Sequence, residues 1–357
     1  MDVTIDVFEF YNSTQQGYSN KYYDSVTTAK GCSIPWIRGY VDCFIQGRML
    51  STFLRGKQYD IIHCHWIIAP LVLANGFKNH CRYLVATFWG REYANIKILG
   101  SNAMFRKHLY PFAKEVDAII NSSETQQNIR KEVPVFKGKF YKASFGSSPV
   151  EELYSLIEKE NRNESKRALN LPEDKWCAMI GYSAKKVHQH LNIIEELSRN
   201  NALKQKIHLL VPMTRGGSKE YIEKVRRTLA DSGYTYTLIE GHFLSDIEVA
   251  RLRNSTDIVL QLSESDSFSR SIVECLCAKS IMIYGVWLDY DRHLKSAGFT
   301  AIGVESIKDG LKKIQAVVDN IDAYKDMVST NHEKGKQGYL WSVCIKDWVN
   351  AYNDLFK

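Results

Sequence analysis

Asp266, Ser267, Ser269, Arg270, Ser271 and Glu274 fall within one short stretch, SESDSFSRSIVECLCAKSIMIYG (263–285), directly after the apolar run DIVLQL. Hydroxyls, a guanidinium and a helix start suit phosphate oxygens. With Ser269 as N-cap of a helix Arg270 to Ala278, the first amides, those of Arg270, Ser271 and Ile272, lack intrahelical partners, and the helix dipole favours an anion by about 0.3–1 kcal/mol, or ~2 kcal/mol when partly buried. A guanidinium adds charge-assisted bonds of a kind well matched to a diphosphate. Glu274, in the first helical turns, can accept two hydroxyl hydrogen bonds, which suits a ribose diol. Asp266 lies on the loop side, nearer a sugar beyond the diphosphate. The competing structural reading makes Ser269 a plain cap and Glu274 a solvated helix residue.

The elements that must position these groups are strands and crossover helices. Apolar, β-branched runs at 3–11, 59–66, 81–90, 116–123 and 137–144 predict five strands in the first half, and runs at 176–183, 206–213, 234–241, 257–264, 281–287 and 299–304 six more. Alternation with helical patterns predicts parallel sheets. At 357 residues the chain exceeds one ordinary core. The expected division is an N-terminal domain over 1–148, completed by a C-terminal helix over 338–357, a polar linker over 149–170, and a second domain over 171–337. The fold class is α/β, with two Rossmann-like doubly wound domains facing across a cleft, where the carboxyl ends of the strands bind ligands.

Composition narrows the chemistry. Eight cysteines without a CxxC pair argue for buried reduced thiols and against a zinc site or disulfide framework. No apolar run approaches the roughly 18–20 residues of a membrane span, and MDVTIDVFEFYNS has no signal core, so a cytoplasmic chain is expected. The net charge of +7 lies wholly in residues 1–150, which hold 18 Lys and Arg against 11 Asp and Glu. That asymmetry fits a phosphorylated ligand or peripheral contact with the inner face of an anionic membrane. With no basic ladder interleaved with aromatics, nucleic acid is not an expected partner.

Asp266-Ser-Phe-Ser-Arg-Ser-Ile-Val-Glu274 resembles the Glu-x7-Glu signature of retaining glycosyltransferases of the GT-B fold, family four (group one), with Asp in place of the first Glu. The resemblance implies that Glu274 holds the ribose, that Asp266 meets the transferred sugar, and that the 269–271 amides cradle the diphosphate beside Phe268. IGYSAKKVHQH (180–190) occupies the place of the family's Gly-Arg…Lys loop; Gly181 is retained, Tyr182 replaces the Arg, and Lys185 or Lys186 would neutralise the leaving diphosphate. LLVPMTRGGSKEYIEKV (209–225), with Thr214 at the donor, and IYGVWLDYDRHL (283–294) resemble a bacterial polysaccharide subset. The PM-x-x-GG-x-x-EYI pattern is also similar to transferases that add an N-acetylated amino-deoxyfucose to a lipid-linked antigen, which keeps an inverting GT-B enzyme as an alternative.

IIHCHW and TFWGRE resemble strand ends of the same family's first domain. By alternation His63 and His65 face one side; a hydrogen-bonded core histidine is the commoner fate of either. His65, Trp66, Trp89 and Arg91 are the acceptor-site candidates, Trp89 by stacking on a sugar ring and Arg91 by binding acceptor phosphate, while Gly90 permits a tight turn. Family members open with a strand and a glycine-rich loop, whereas this sequence begins at a strand like their second; either that unit is missing or Gly17 and Gly31 lie in a divergent substitute. The implied partners are a nucleoside diphosphate sugar and a saccharide or lipid-linked saccharide acceptor, with no cofactor or metal.

Three rivals remain. A glycosidase pair needs carboxylates about 5–5.5 Å apart when retaining, but eight helical residues span about 12 Å. A metal-dependent transferase of the GT-A type could use Asp289-Tyr290-Asp291, although some ten strands precede it. A catalytically impaired nucleotide-sugar-binding subunit would lack turnover. TRGGSK (214–219) lacks the spacing of a P-loop.

Overall fold

The structure, a computed structural model, describes residues 3–10, 23–29, 38–74, 76–89 and 103–357. It divides into two units: Met1–Ser144 with Lys346–Lys357, and Phe145–Ile345. Among the described residues no helix is long and apolar enough to cross a membrane.

In the first unit, β1 (Asp6–Glu9) and β2 (Ser25–Thr28) form a parallel pair. β3 (Tyr59–His65), β4 (Cys81–Thr87), β5 (Ala118–Asn121) and β6 (Lys139–Lys142) form a second, four-stranded parallel sheet in that order. Side chains alternate across it. Leu84, Ala86 and Phe88 enter a core with Leu50, Leu54, Leu109 and Phe112, whereas His63 and Thr87 meet the last turns of the helix Trp341–Leu355 through Tyr352. Lys139 and Tyr141 both reach Asp354 of that helix, and Trp348 Nε1 donates to the Ser144 carbonyl at 2.9 Å.

The second unit is built on β7 (Trp176–Ile180), β8 (Ile207–Pro212), β9 (Thr235–Ile239), β10 (Ile258–Gln261), β11 (Ile281–Gly285) and β12 (Ile302–Val304). All pairs are parallel and the order is β12-β11-β10-β7-β8-β9. Period-two alternation produces two cores: Ala178, Ile180, Leu209, Val211, Ile258, Leu260 and Ile283 on one face, Cys177, Met179, Leu210, Val259 and Met282 on the other. That double burial is why these strands read as continuous apolar runs. The chain leaves β7 toward β8 and β9, then returns to the opposite side of β7 with β10, so the strand order reverses between β7 and β10.

Residues 149–170, read as a linker, contribute two helices, Ser148–Ile157 and Arg162–Ala168. Val150, Leu153, Tyr154 and Leu156 pack into the second core, and Asn161 starts the later helix with a capping box to Glu164. None of the seven described cysteines forms a disulfide with another; six of them are buried and Cys43 is half-buried.

Candidate functional site

At the reversal point, the loops after β7 and β10 emerge side by side, where open parallel sheets bind ligands. The loop after β10 enters the helix Arg270–Cys277 through Phe268, whose φ of 55° lies in the left-handed region. That conformation costs a non-glycine residue about 1–2 kcal/mol. Ring contacts hold it in place: Phe268 stacks on His293 at 5.3 Å and meets Tyr290 edge-on at 5.0 Å.

The helix start differs from the expectation in two ways. Ser269 stands at the N-cap, but its side chain makes no capping bond, and its Oγ is buried without a well-formed hydrogen bond. It lies beside the Tyr182 hydroxyl, whose proton is committed to Asp266. The Ile272 amide is not open either, because the first turn tightens and it donates to the Ser269 carbonyl at 3.0 Å. Among the described residues the amides of Arg270 and Ser271 make no hydrogen bond, and the Arg270 guanidinium has no carboxylate partner but lies over the Tyr339 ring at 5.2 Å. By contrast Ser218, Ser245 and Ser306 each cap their helices through the side chain.

Asp266 is tied down. Its Oδ1 accepts from the Tyr182 hydroxyl, and its Oδ2 accepts from the Tyr290 hydroxyl and, at 3.1 Å, from the Ser269 amide. Burial, reinforced by the Asp266 carboxylate, pushes both tyrosine hydroxyls up, so each is a protonated donor. Glu274 is buried, which disposes of the solvated-residue reading. Its Oε2 accepts from Arg253 Nε at 3.1 Å, with both side chains 7% exposed, leaving Oε1 without a partner among the described residues. A carboxylate with both oxygens open for a diol was the sequence expectation; the fold leaves one.

Gly181 turns the chain out of β7 at φ 63°, and a Cβ there would sit 2.8 Å from His190 Nε2. Lys185 and Lys186 follow, both exposed, Lys186 with its Nζ 5.7 Å from the centre of the Tyr221 ring. Thr214 follows β8 in the neighbouring loop, where the Arg215 carbonyl accepts from the Ala184 amide at 2.8 Å. Gly217 is required there, since a Cβ would meet the Ala184 carbonyl oxygen at 2.5 Å. Thus Gly181, Tyr182, Lys185, Lys186, Thr214, Asp266, Phe268 and Ser269 occupy the connections at the carboxyl ends of one sheet, and Arg270 and Ser271 open the helix that follows one of them. Asp289 lies in the connection after β11 and Asp291 opens the helix Asp291–Ala297, where it accepts from Tyr284.

Sequence reasoning missed His188, which ties the two loops from below. Its Nε2 bonds Ser183 Oγ and its Nδ1 bonds Ser263 Oγ, both at 2.9 Å. Burial lowers its pKa to about 4 from 6.5. A depressed histidine contributes stability above its unfolded pKa that is lost as pH falls through the folded one, so unfolding free energy should drop between pH 6.5 and about 4, by ~3 kcal/mol from this residue. Urea titrations at pH 7 and pH 4.5 check this: His188→Asn should flatten the pH dependence, and an unchanged slope would refute it.

In the first unit, His63 and His65 do share a face, their rings stacked at 4.1 Å. Thr87 Oγ1 donates its proton to the Ile120 carbonyl and therefore accepts from His63 Nε2, which leaves Nδ1 to accept from Tyr352 at 2.6 Å. His63 is thus a neutral, half-buried histidine with both ring nitrogens bonded, and burial lowers its pKa well below the usual value. Trp66, at φ 60°, and Trp89 are 57% and 50% exposed and meet edge-on at 6.2 Å; His65 lies 6.1 Å from Trp89. His65, Trp66 and Trp89 are therefore neighbours at the ends of β3 and β4, while Gly90 and Arg91 fall outside the described residues.

No family model and no curated protein matches the chain. Solved structures do. Sucrose-phosphate synthase from Thermosynechococcus elongatus aligns with a TM-score of 0.72 at 11% identity over 99% of this chain and 89% of its own. WaaG, a glycosyltransferase involved in lipopolysaccharide biosynthesis, aligns at 0.64 and 11% over 98% and 99%. Anabaena Alr3699/HepE, in complex with UDP and glucose, aligns at 0.64 and 11% over 98% and 100%. The chain shares their fold, the α/β GT-B architecture of two Rossmann-like units.

Proposed function

We propose that this chain, built on the GT-B fold, transfers a glycosyl group from a nucleoside diphosphate sugar to a hydroxyl acceptor. The observation that carries the reading is the helix start at 269–271, where, among the described residues, two amides without partners, the buried Ser269 hydroxyl without a well-formed hydrogen bond and an arginine without a carboxylate converge at the strand-order reversal. Such a turn binds two linked phosphates, and Glu274 Oε1 behind it accepts from a ribose hydroxyl.

Stabilising charge on the departing diphosphate is the main catalytic task, supplied by the Arg270 and Ser271 amides, the Arg270 guanidinium and the exposed Lys185 and Lys186. No side chain stands out as a nucleophile. In the proposed reaction the acceptor hydroxyl attacks from the face the diphosphate leaves, a diphosphate oxygen takes its proton, and the anomeric configuration is retained. His65, Trp66, Trp89 and Arg91 bind the acceptor, a saccharide or lipid-linked saccharide of a growing cell-surface polysaccharide. The protein acts without a cofactor in the cytoplasm, peripheral to the membrane through the basic excess of residues 1–150. WaaG, named for lipopolysaccharide biosynthesis, and HepE, solved with UDP and glucose, support the class of reaction and of donor.

Native mass spectrometry with a panel of nucleoside diphosphate sugars tests it. One adduct per chain, followed by release of the nucleoside diphosphate with a retained anomer by NMR, is expected; failure of every donor to bind overturns the reading. Co-sedimentation with anionic liposomes tests the membrane contact.

A further inference from the structure

We propose that Asp266 is a positioning residue, held by Tyr182 and Tyr290, and that its carboxylate shapes the phosphate-binding turn instead of contacting the transferred sugar. The catalytic consequence rests on the function proposed above; the clamp itself does not.

The argument is one of occupied lone pairs. A carboxylate offers about four acceptor positions, and Asp266 spends three, on the Tyr182 hydroxyl, the Tyr290 hydroxyl and the Ser269 amide. The bonds have a fixed direction. Tyr290 is fully buried and its oxygen accepts from Gln261 Nε2 at 2.9 Å, so its single proton is delivered to Asp266. Tyr182 delivers its own. The donors come from three loops, after β7, β10 and β11, and converge on this one carboxylate. From there the effect passes to the turn, because the Ser269 amide bond fixes residues 266–269 around the left-handed Phe268. That geometry also leaves the Arg270 and Ser271 amides unpaired. A group meant to grip sugar hydroxyls would keep its oxygens open, whereas this one is spent on shape.

Three variants test the clamp: Tyr182→Phe, the double Tyr182→Phe/Tyr290→Phe, and Asp266→Asn, which keeps one acceptor oxygen. Hydrogen exchange is followed in peptides covering 263–276. UDP and GDP binding is measured by calorimetry, alongside the corresponding nucleotide sugars. Exchange of the bonded amides of Ser269 and Ile272 should rise at least tenfold in the double variant with the strands β7 to β11 unchanged, and affinity for the preferred nucleoside diphosphate and its sugar should fall together, tenfold or more. Asp266→Asn should be intermediate, and the milder Tyr182→Phe carries the test if the double variant does not fold. Unchanged exchange at 263–276 overturns the clamp. So does loss of nucleotide-sugar affinity alone, the signature of a sugar contact. If the wild type binds neither UDP nor GDP, the donor reading falls, and the exchange result still decides the clamp.

Discussion

Asp257→Ala is expected to lower the unfolding free energy of the second unit by about 3–5 kcal/mol, the cost of removing one partner of a buried ion pair. Asp257 is 1% exposed and its two oxygens hold three groups together: Oδ1 the Arg162 guanidinium at 2.8 Å, Oδ2 the Lys166 ammonium at 2.8 Å and the Cys177 amide at 2.8 Å, while Arg162 continues to the Ala278 carbonyl at 2.7 Å. Removing the carboxylate strands Lys166, whose side chain is 3% exposed, with the Lys175 carbonyl and the Trp176 ring at 5.9 Å but no anion for its charge. It also unties the helix Arg162–Ala168 from the starts of β7 and β10. For a unit of about 200 residues each kcal/mol shifts the melting temperature by roughly 2–4 °C, so a drop of about 10 °C is expected. Lys206→Ala is the control: its pair with Asp319 spans 2.6 Å, but both side chains are 47% exposed, and the change should stay within about 1 kcal/mol. Equal losses from the two variants would show that the Asp257 network carries no more than a surface pair.

Where a strand is buried on both faces its residue types alone announce it, and the runs around β7, β8, β10 and β11 were legible for that reason. β2 was not. Its residues SVTT are few, partly exposed and without alternation, and it exists only because β1 lies beside it. The charge of the 149–170 stretch hid the burial of the helices Ser148–Ile157 and Arg162–Ala168, although Val150, Leu153 and Leu156 recur at a helical spacing within it. The same division applies to the candidate site. Asp266, Ser269 and Arg270 are contiguous, so their proximity needed no fold. Gln261, Tyr290 and Arg253 come from β10, the loop after β11 and another helix, and no local pattern marks them, whereas Tyr182 is marked only by its place in IGYSAKKVHQH. Arg253, within ARLRN, reads as a solvated helix residue, yet a lone acid in the apolar helix Arg270–Cys277 was a signal that some buried cation must answer it.

That cation separates structure from function at Glu274. Glu274→Ala should cost about 3–5 kcal/mol by stranding Arg253, and should also abolish nucleotide binding, but the two losses cannot be told apart in one variant. Replacing a buried ion pair by apolar residues of similar volume is often neutral or stabilising. Arg253→Met/Glu274→Leu should therefore recover stability to within about 1 kcal/mol of wild type, because Met179, Val273 and Leu276 already make the surroundings apolar. Affinity for the nucleoside diphosphate should not recover. It should remain at least tenfold weaker, a difference of about 1.4 kcal/mol, because the Oε1 acceptor for the ribose is gone while the 269–271 turn is intact. Chemical denaturation and calorimetry on the same three proteins give both quantities. Recovery of binding along with stability would mean that Glu274 serves only Arg253, and that ribose recognition must be sought in another loop of the second unit.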